Sequence, residues 1–400
     1  MSIDKFEIEG FRFSAVGAGI KHADSDRLDL ALIASERPAI TVGVTTTNLV
    51  CAAPVTITRE CLQRGISQAL LINSGNANAY TGDSGLADAL FLTKSVADRL
   101  GIAHELVVPM STGVIGQPLP VDRMNAKIPE LAALISPSAF LDAASAILTT
   151  DTFPKTALVE KRLSNGLLKI VGMAKGAGMM APNMATMLAV VLVNMSVEES
   201  YLRKVFVQAN SLTFNRITVD GDTSTNDTAI VMSGGSDQSK ELLDNDTDRD
   251  LFSQGVLSIC ANLARQIVKD GEGATKVVEV KVFGAPDEVS AARVSRRIAE
   301  SPLVKTAFHG EDPNWGRIVC AAGSAGVKFD PSMIDLWIGS VQIVKSGILE
   351  VGDWEARAKQ EMRYPEFSVS IDLKTGSAHA TILTCDLSEE YVAINADYRS

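Results

Sequence analysis

The fold class this sequence predicts is a layered architecture of α-helices and β-strands. Three observations lead there. Segments with helical and strand-like apolar periods alternate along almost the whole chain, several apolar runs are too short for helices and read as strands covered on both faces, and no internal repeat or low-complexity tract breaks the pattern. At 400 residues the chain exceeds what one core usually organises, so at least two structural units are expected.

Taken in chain order, Ala69 to Ile72 reads as a buried strand. Ser84 to Leu100 follows as a helix, with Ser84 as its cap, Gly101 as its stop and Leu86, Leu90, Ala97 and Leu100 as its inward face. Met187 to Val193 is a second buried strand. The run Ser196-Val-Glu-Glu199 has the spacing of a capping box and opens a helix whose Leu202, Val205, Phe206 and Ala209 face the core. A third helix spans about 251 to 268 on the stripe Val256, Cys260, Leu263 and Ile267. After Gly284 the texture changes to a helix over about 286 to 300, with strands around 336 to 344 and 367 to 373 that alternate like a half-exposed sheet. A soft boundary near residue 284 therefore divides a layered domain (1–284) from a smaller α+β domain (285–400).

Composition narrows the function. The 37 basic residues face 48 acidic ones, for a formal charge of -11 with no basic face, which argues against nucleic acid. No apolar run approaches the roughly 18 residues of a membrane span, and the start lacks a basic flank followed by an apolar run, so a cytoplasmic location is expected. Cys51, Cys61, Cys260, Cys320 and Cys385 are scattered and read as reduced, mostly buried small residues. The four histidines, His22, His104, His309 and His379, show no metal-ligand spacing, so no metal is expected and a histidine triad has little to build on.

The most informative segment runs Lys175-Gly-Ala-Gly-Met-Met-Ala-Pro-Asn-Met-Ala-Thr186-Met-Leu, a glycine-bearing loop feeding an apolar strand. Such a loop can bend tightly and bring its amides to a reacting carbonyl. If the Ala185–Thr186 peptide were broken, the new α-amine of Thr186, with a pKa near ~8, would stand beside its own hydroxyl and could take its proton. One residue would then supply both nucleophile and base. Spacing alone leaves open a plain glycine-rich turn ahead of a buried strand.

The string KGAGMMAPNMATML resembles the signature of the ornithine acetyltransferase (glutamate N-acetyltransferase) family, and further blocks agree in order: SGNANAYTG, STGVIG, TTDTFPK, DTSTNDT, DGEGATK, SPLVKTA and HGEDPNWGR. The resemblance covers essentially the whole chain. It implies an αββα sandwich like that of amino-terminal-nucleophile and DmpA-like proteins, with self-cleavage between Ala185 and Thr186 into segments 1–185 and 186–400. It also implies Thr186 as the nucleophile, Thr112 and Gly113 as oxyanion donors, and Thr149, Lys175, Thr186, Glu272, Asn395 and Ser400 as substrate contacts. Ser400 stands where threonine is common in the family, and which threonine of 149–152 meets substrate is open, with Thr149 favoured.

Lys175 would then suit a substrate carboxylate and Glu272 the ornithine side-chain amine. The implied reaction moves acetyl from N-acetylornithine to glutamate by a ping-pong route. No bound cofactor is implied, and acetyl-CoA is a second expected donor in the bifunctional members. The expected assembly is two of each segment, with small molecules rather than nucleic acid or membrane as partners. A monofunctional transferase and an amino-terminal-nucleophile amidase or aminopeptidase are the competing readings. His309 to Arg317, and Asn215, Asp220 and Asp222, read as structural or site-shaping groups rather than reacting ones.

Overall fold

The computed structural model describes residues 3–23, 27–179 and 187–397. Eight strands form the first sheet: β1 (Phe11–Val16), β2 (Leu30–Thr45), β3 (Ile66–Asn73), β4 (Val107–Ser111), β5 (Lys155–Leu163), β6 (Gly166–Lys175), β7 (Leu188–Val193) and β8 (Thr228–Ser233). Their order is β4-β3-β2-β8-β7-β6-β5, with β1 paired to β2 off that path. The first half of the 16-residue β2 pairs with β1 and β3, and its second half with β8. Between the halves the register shifts where Glu36, Arg37 and Pro38 are exposed; a proline has no N–H to give a ladder and fits such a break.

The side chains show what this bend achieves. Along β7, Leu188, Val190 and Leu192 point into a core shared with Phe13, Ile33, Leu70 and Val108 from the β1–β4 half, so the two halves of the sheet face one another. Ala189, Val191 and Val193 point the other way, against α5 (Glu199–Leu212) and α6 (Asp246–Lys269). On the outer side of the first half, Leu30, Leu32 and Leu71 pack on α2 (Gly82–Leu100) and α3 (Val121–Ala133). Helices, half-sheet, half-sheet, helices: the layering is αββα. Helices α1 (Ala53–Arg64) and α4 (Phe140–Ala146) also close on the central core.

A second, six-stranded sheet has the order β12-β11-β10-β13-β9-β14. Its strands are β9 (Val277–Ala285), β10 (Asp335–Ile338), β11 (Val341–Lys345), β12 (Ile348–Leu349), β13 (Glu366–Asp372) and β14 (Ala378–Cys385). Helices α7 (Glu288–Ala299), α8 (Pro302–His309), α9 (Trp315–Gly323) and α10 (Trp354–Met362) cover one face of it through Val280, Val294, Phe308, Ile338 and Val369. The expected division near residue 284 thus falls inside β9. The last helix, α11 (Glu389–Asp397), leaves this sheet and carries Tyr391 and Asn395 back to the first unit.

Most anticipated elements are present with shifted ends. The stripe Val256, Cys260, Leu263, Ile267 of α6 is fully buried, as are Leu202, Val205, Phe206 and Ala209 of α5. The capping box is corrected: Glu198 caps α5 through the amides of Ser200 and Tyr201, because Ser196 is drawn into backbone bonds with Lys240 and Leu242. Helix α2 starts at Gly82 and turns an overlapping face inward: Ala97 is buried and Leu86 and Leu100 pack half-buried on the cores, but Leu90 is exposed and Gly85, Ala89, Leu92 and Val96 are buried beside them. Its Gly101 stop is in the left-handed region, as anticipated. The apolar run 336–344 is two strands, β10 and β11, joined by a turn at Gly339. Of the cysteines, Cys61, Cys260 and Cys385 are buried, Cys51 is half-buried and Cys320 exposed, all with free thiols. No helix among the described residues is long and apolar enough to cross a membrane.

Candidate active site

Thr186, Ala185 and Ser400 lie outside the described residues. The other candidates, Thr112, Gly113, Thr149, Lys175, Glu272 and Asn395, all line one cavity of about 210 Å³ beside the ends of β4, β6 and β8. Asp220, Asp222, Asn226 and Tyr391 share its wall.

Each side chain is placed by a local constraint. Thr112 follows β4, and its amide donates to Asn73 O (3.0 Å). Gly113 sits at φ +131°, and a Cβ there would lie 2.3 Å from the carbonyl carbon of Gly75, so only glycine fits this turn. Asn226 braces the turn from behind, its amide nitrogen donating to Ala77 O (2.6 Å) and Ser111 O (2.8 Å).

Glu272 is held by its own amide bonded to Ala177 O (2.9 Å), and its Oε2 accepts from Asn395 Nδ2 (2.8 Å). A Cβ on Gly178 would stand 2.3 Å from Glu272 Oε2, so that glycine leaves the room the carboxylate occupies. Tyr391 donates to Asp220 Oδ2 (3.3 Å), the oxygen that also accepts the Met179 amide (2.6 Å). Burial, then the negative charges of Asp220 and Glu272, push the Tyr391 phenol up, so it stays a neutral donor.

Beneath Thr149 and Lys175 lies a buried charge cluster. Lys155, fully enclosed, is paired with both Asp151 and Asp270. Asp151 also accepts the amides of Thr149 (2.9 Å) and Gly176 (2.6 Å) and lies 3.8 Å from Lys175 Nζ. Burial alone would push its carboxyl up, but the two lysines and these bonds together win and hold it far below the ordinary range. Asp270 accepts Thr152 through both amide (2.9 Å) and hydroxyl, which ties the Glu272 loop to the Thr149 loop. Thr152 is thereby committed to structure, whereas Thr149 and Thr150 face the cavity.

A second buried carboxylate behaves in the opposite way. Asp227 Oδ1 accepts the amide of Met187 (3.0 Å), and its Oδ2 has no hydrogen-bond partner among the described residues. Burial pushes its carboxyl well above the ordinary range.

His309 to Arg317 does not line the cavity. His309 Nδ1 pairs with Asp386 Oδ2 (2.8 Å), Asn314 caps α9 through the Arg317 amide (3.2 Å), and Trp315 is half-buried against the second core. Asp220 and Asp222 line the site, while Asn215 gives its carbonyl to Arg296 (2.7 Å). Sequence reasoning passed over Asp151, Asp227, Asn226 and Tyr391. Asp151 lies inside the TTDTFPK block, where attention went to the threonines, Asn226 and Asp227 lie inside DTSTNDT, which was assigned no role, and nothing local marks Tyr391.

With this geometry in view, the comparisons with known proteins are direct. The ArgJ family pattern matches residues 12–400. The arginine biosynthesis bifunctional protein ArgJ of Geobacter sulfurreducens is 47% identical over 393 residues, spanning 98% of this chain and 100% of that protein. The ArgJ of Symbiobacterium thermophilum is 44% identical over 391 residues, covering 98% and 97%. Among solved structures, the arginine biosynthesis bifunctional protein ArgJ of Bacillus halodurans aligns with 37% identity and a TM-score of 0.50, over 52% of this chain and 98% of that one. On a match that runs nearly end to end, the chain belongs to the ArgJ family.

Proposed function

We propose that this chain is a self-cleaving acetyltransferase that moves acetyl from N-acetylornithine to glutamate and also makes N-acetylglutamate from acetyl-CoA and glutamate. The observation that carries the reading is the convergence of Thr112, Gly113, Thr149, Lys175, Glu272 and Asn395 on one cavity, in a chain matched almost end to end by bifunctional ArgJ proteins. These residues come from distant parts of the sequence, and a cation and an anion in one small chamber suit an amino-acid ligand.

In the first stage the Thr186 hydroxyl attacks the Ala185 carbonyl. The C–N bond breaks to leave an ester and a free α-amine on Thr186, and water then hydrolyses the ester to restore the hydroxyl. In the second stage Thr186 Oγ attacks the acetyl carbonyl of N-acetylornithine while its proton passes to the α-amine. The carbonyl electron pair moves onto oxygen, where Thr112 Oγ–H and the Gly113 amide donate to it. Collapse returns that pair, the proton passes to the departing ornithine nitrogen, and an acetyl ester remains on Thr186. The glutamate amine then attacks that ester by the reverse sequence.

Lys175 meets the substrate carboxylate, Glu272 with Asn395 the ornithine side-chain ammonium, and Thr149 and Ser400 complete the contacts. No resident cofactor or metal takes part, acetyl-CoA being a substrate. The mature enzyme is two copies of each segment and works in the cytoplasm.

The test is to supply purified enzyme with N-acetylornithine, with and without glutamate, and separately with acetyl-CoA and glutamate. One acetyl per site should transfer and stall until glutamate is added, and acetyl-CoA should also yield N-acetylglutamate. Steady acetate release without acceptor would mean a hydrolase, and no N-acetylglutamate from acetyl-CoA and glutamate would remove the second activity.

A further inference from the structure

Lys175 ends β6 with only 3% of its surface exposed, and two of its neighbours define a direction. Its Nζ lies 3.3 Å from Thr112 Oγ1 and 3.8 Å from Asp151 Oδ2. An ammonium can only donate, so Thr112 Oγ1 is the acceptor in that bond, and the hydroxyl hydrogen must point elsewhere. No acceptor among the described residues takes that hydrogen, and Thr112 lines the cavity. The lysine therefore orients the hydroxyl as a donor toward the chamber and polarises it at the same time.

We infer that Asp151, Lys175 and Thr112 form a relay that sets the charge of a buried ammonium behind the oxyanion hydroxyl, so that Lys175 acts on turnover through Thr112 as well as on binding. The inference rests on Thr112 being an oxyanion donor. As the tetrahedral carbon forms, negative charge gathers on the substrate oxygen, Thr112 donates to it, and Lys175 donates to Thr112. No proton leaves the lysine. A hydroxyl that accepts from a cation is a stronger donor, and a preorganised charge in a water-poor site needs no rearrangement when the oxyanion appears.

Asp151 is the positioning residue at the far end. Enclosure disfavours the charged form of Lys175, and Asp151 is the nearest group opposing that; Lys155 adds to the penalty, while Glu272 and Asp227 face it as further acidic groups. Lys155 and Asp270 in turn hold Asp151 in place. Substrate carries its own carboxylate to this lysine, but the ammonium has three hydrogens, enough for Asp151, Thr112 and the ligand together.

A double-mutant cycle on the cleaved enzyme separates this relay from a purely substrate-binding lysine. Cleavage of each variant is checked by intact mass, and kcat and KM are measured with N-acetylornithine and glutamate. Thr112→Val should lower kcat by about 10²- to 10³-fold. Lys175→Met should also lower kcat, yet add little in the Thr112→Val background, because the route it uses is already cut. Asp151→Asn provides the same comparison with the lysine retained: it should lower kcat only when Thr112 is present and bring the alkaline fall of kcat to lower pH.

If Lys175→Met raises KM at constant kcat, or if the losses multiply in the double variant, the relay is wrong while the oxyanion reading stands. If Thr112→Val leaves kcat intact, the oxyanion reading itself fails. Should Lys175→Met not fold or cleave, the Asp151→Asn pair decides, multiplying losses overturning the relay and non-additive losses supporting it.

Discussion

Two buried carboxylates act on Lys175, and their surroundings differ. Asp151 has a lysine pair, two backbone amides and no exposed side-chain surface. Asp227, 1% exposed, accepts one amide on one oxygen and no hydrogen bond of ordinary geometry among the described residues on the other, with Lys175 and Thr46 as weaker influences. The first carboxyl is driven down and stays ionised; burial drives the second up, against its charged form. Burial is common to both, so the partners decide the charge. The lesson for the site is a division of labour: the floor at 149–155 fixes charge beneath the cavity, while the segment at 224–228 fixes backbone, gripping Met187 immediately after the proposed nucleophile. On the proposed cleavage, that grip would lie one residue from the new amino terminus.

The largest effect that could break this comparison is at Asp151. Asp151→Ala strips the counter-charge nearest Lys175 and leaves Lys155 with only Asp270, and losing one partner of a buried pair costs about 3–5 kcal/mol. Denaturant unfolding should show that loss, and a change near zero would mean the cluster is not charged as described. Asp227→Ala should cost less, about 1–3 kcal/mol, the price of leaving the Met187 amide without its acceptor.

Asp227→Asn should cost least at neutral pH, because it keeps an acceptor for that amide and removes a carboxyl whose charge burial disfavours. Its pH dependence carries the sign. A carboxyl raised on folding contributes stability that is complete below its unfolded value and is lost as pH rises through its folded one. Melting temperatures of the native protein should therefore fall relative to Asp227→Asn as pH climbs from about 4. Asp151 works the other way, its contribution being complete above the ordinary carboxylate value and lost only in stronger acid. If Asp227→Asn destabilises as much as Asp227→Ala at neutral pH, Asp227 is charged and the contrast fails.

Much of this was legible in the residues, for reasons that can be named. Helix α6 declares itself because its apolar stripe repeats over many turns, and β7 because six consecutive residues are buried on two faces. The inward face of α2 was misjudged at Leu90, which lies outside, while Gly85 and Ala89 are buried: close packing against α1 and α3 favours small residues there. The fold of the first sheet upon itself turns on three residues around Pro38, too short a signal to read alone. At the site, Thr112, Lys175 and Glu272 stand in recognisable blocks, but which residues pair with which is not written there. Thr152 meets Asp270 across 118 positions and Lys175 meets Thr112 across 63, and no local period records a pairing of that kind.

The central claim is that Thr186 becomes the first residue of its own polypeptide and then carries the acetyl group. Intact mass spectrometry of the native protein and of Thr186→Ala, each before and after exposure to N-acetylornithine without acceptor, tests it most directly. The account predicts that native protein separates into 1–185 and 186–400, the second fragment gaining one acetyl group, while the variant remains a single unmodified chain. Scission or acetyl uptake that survives in the variant would contradict it.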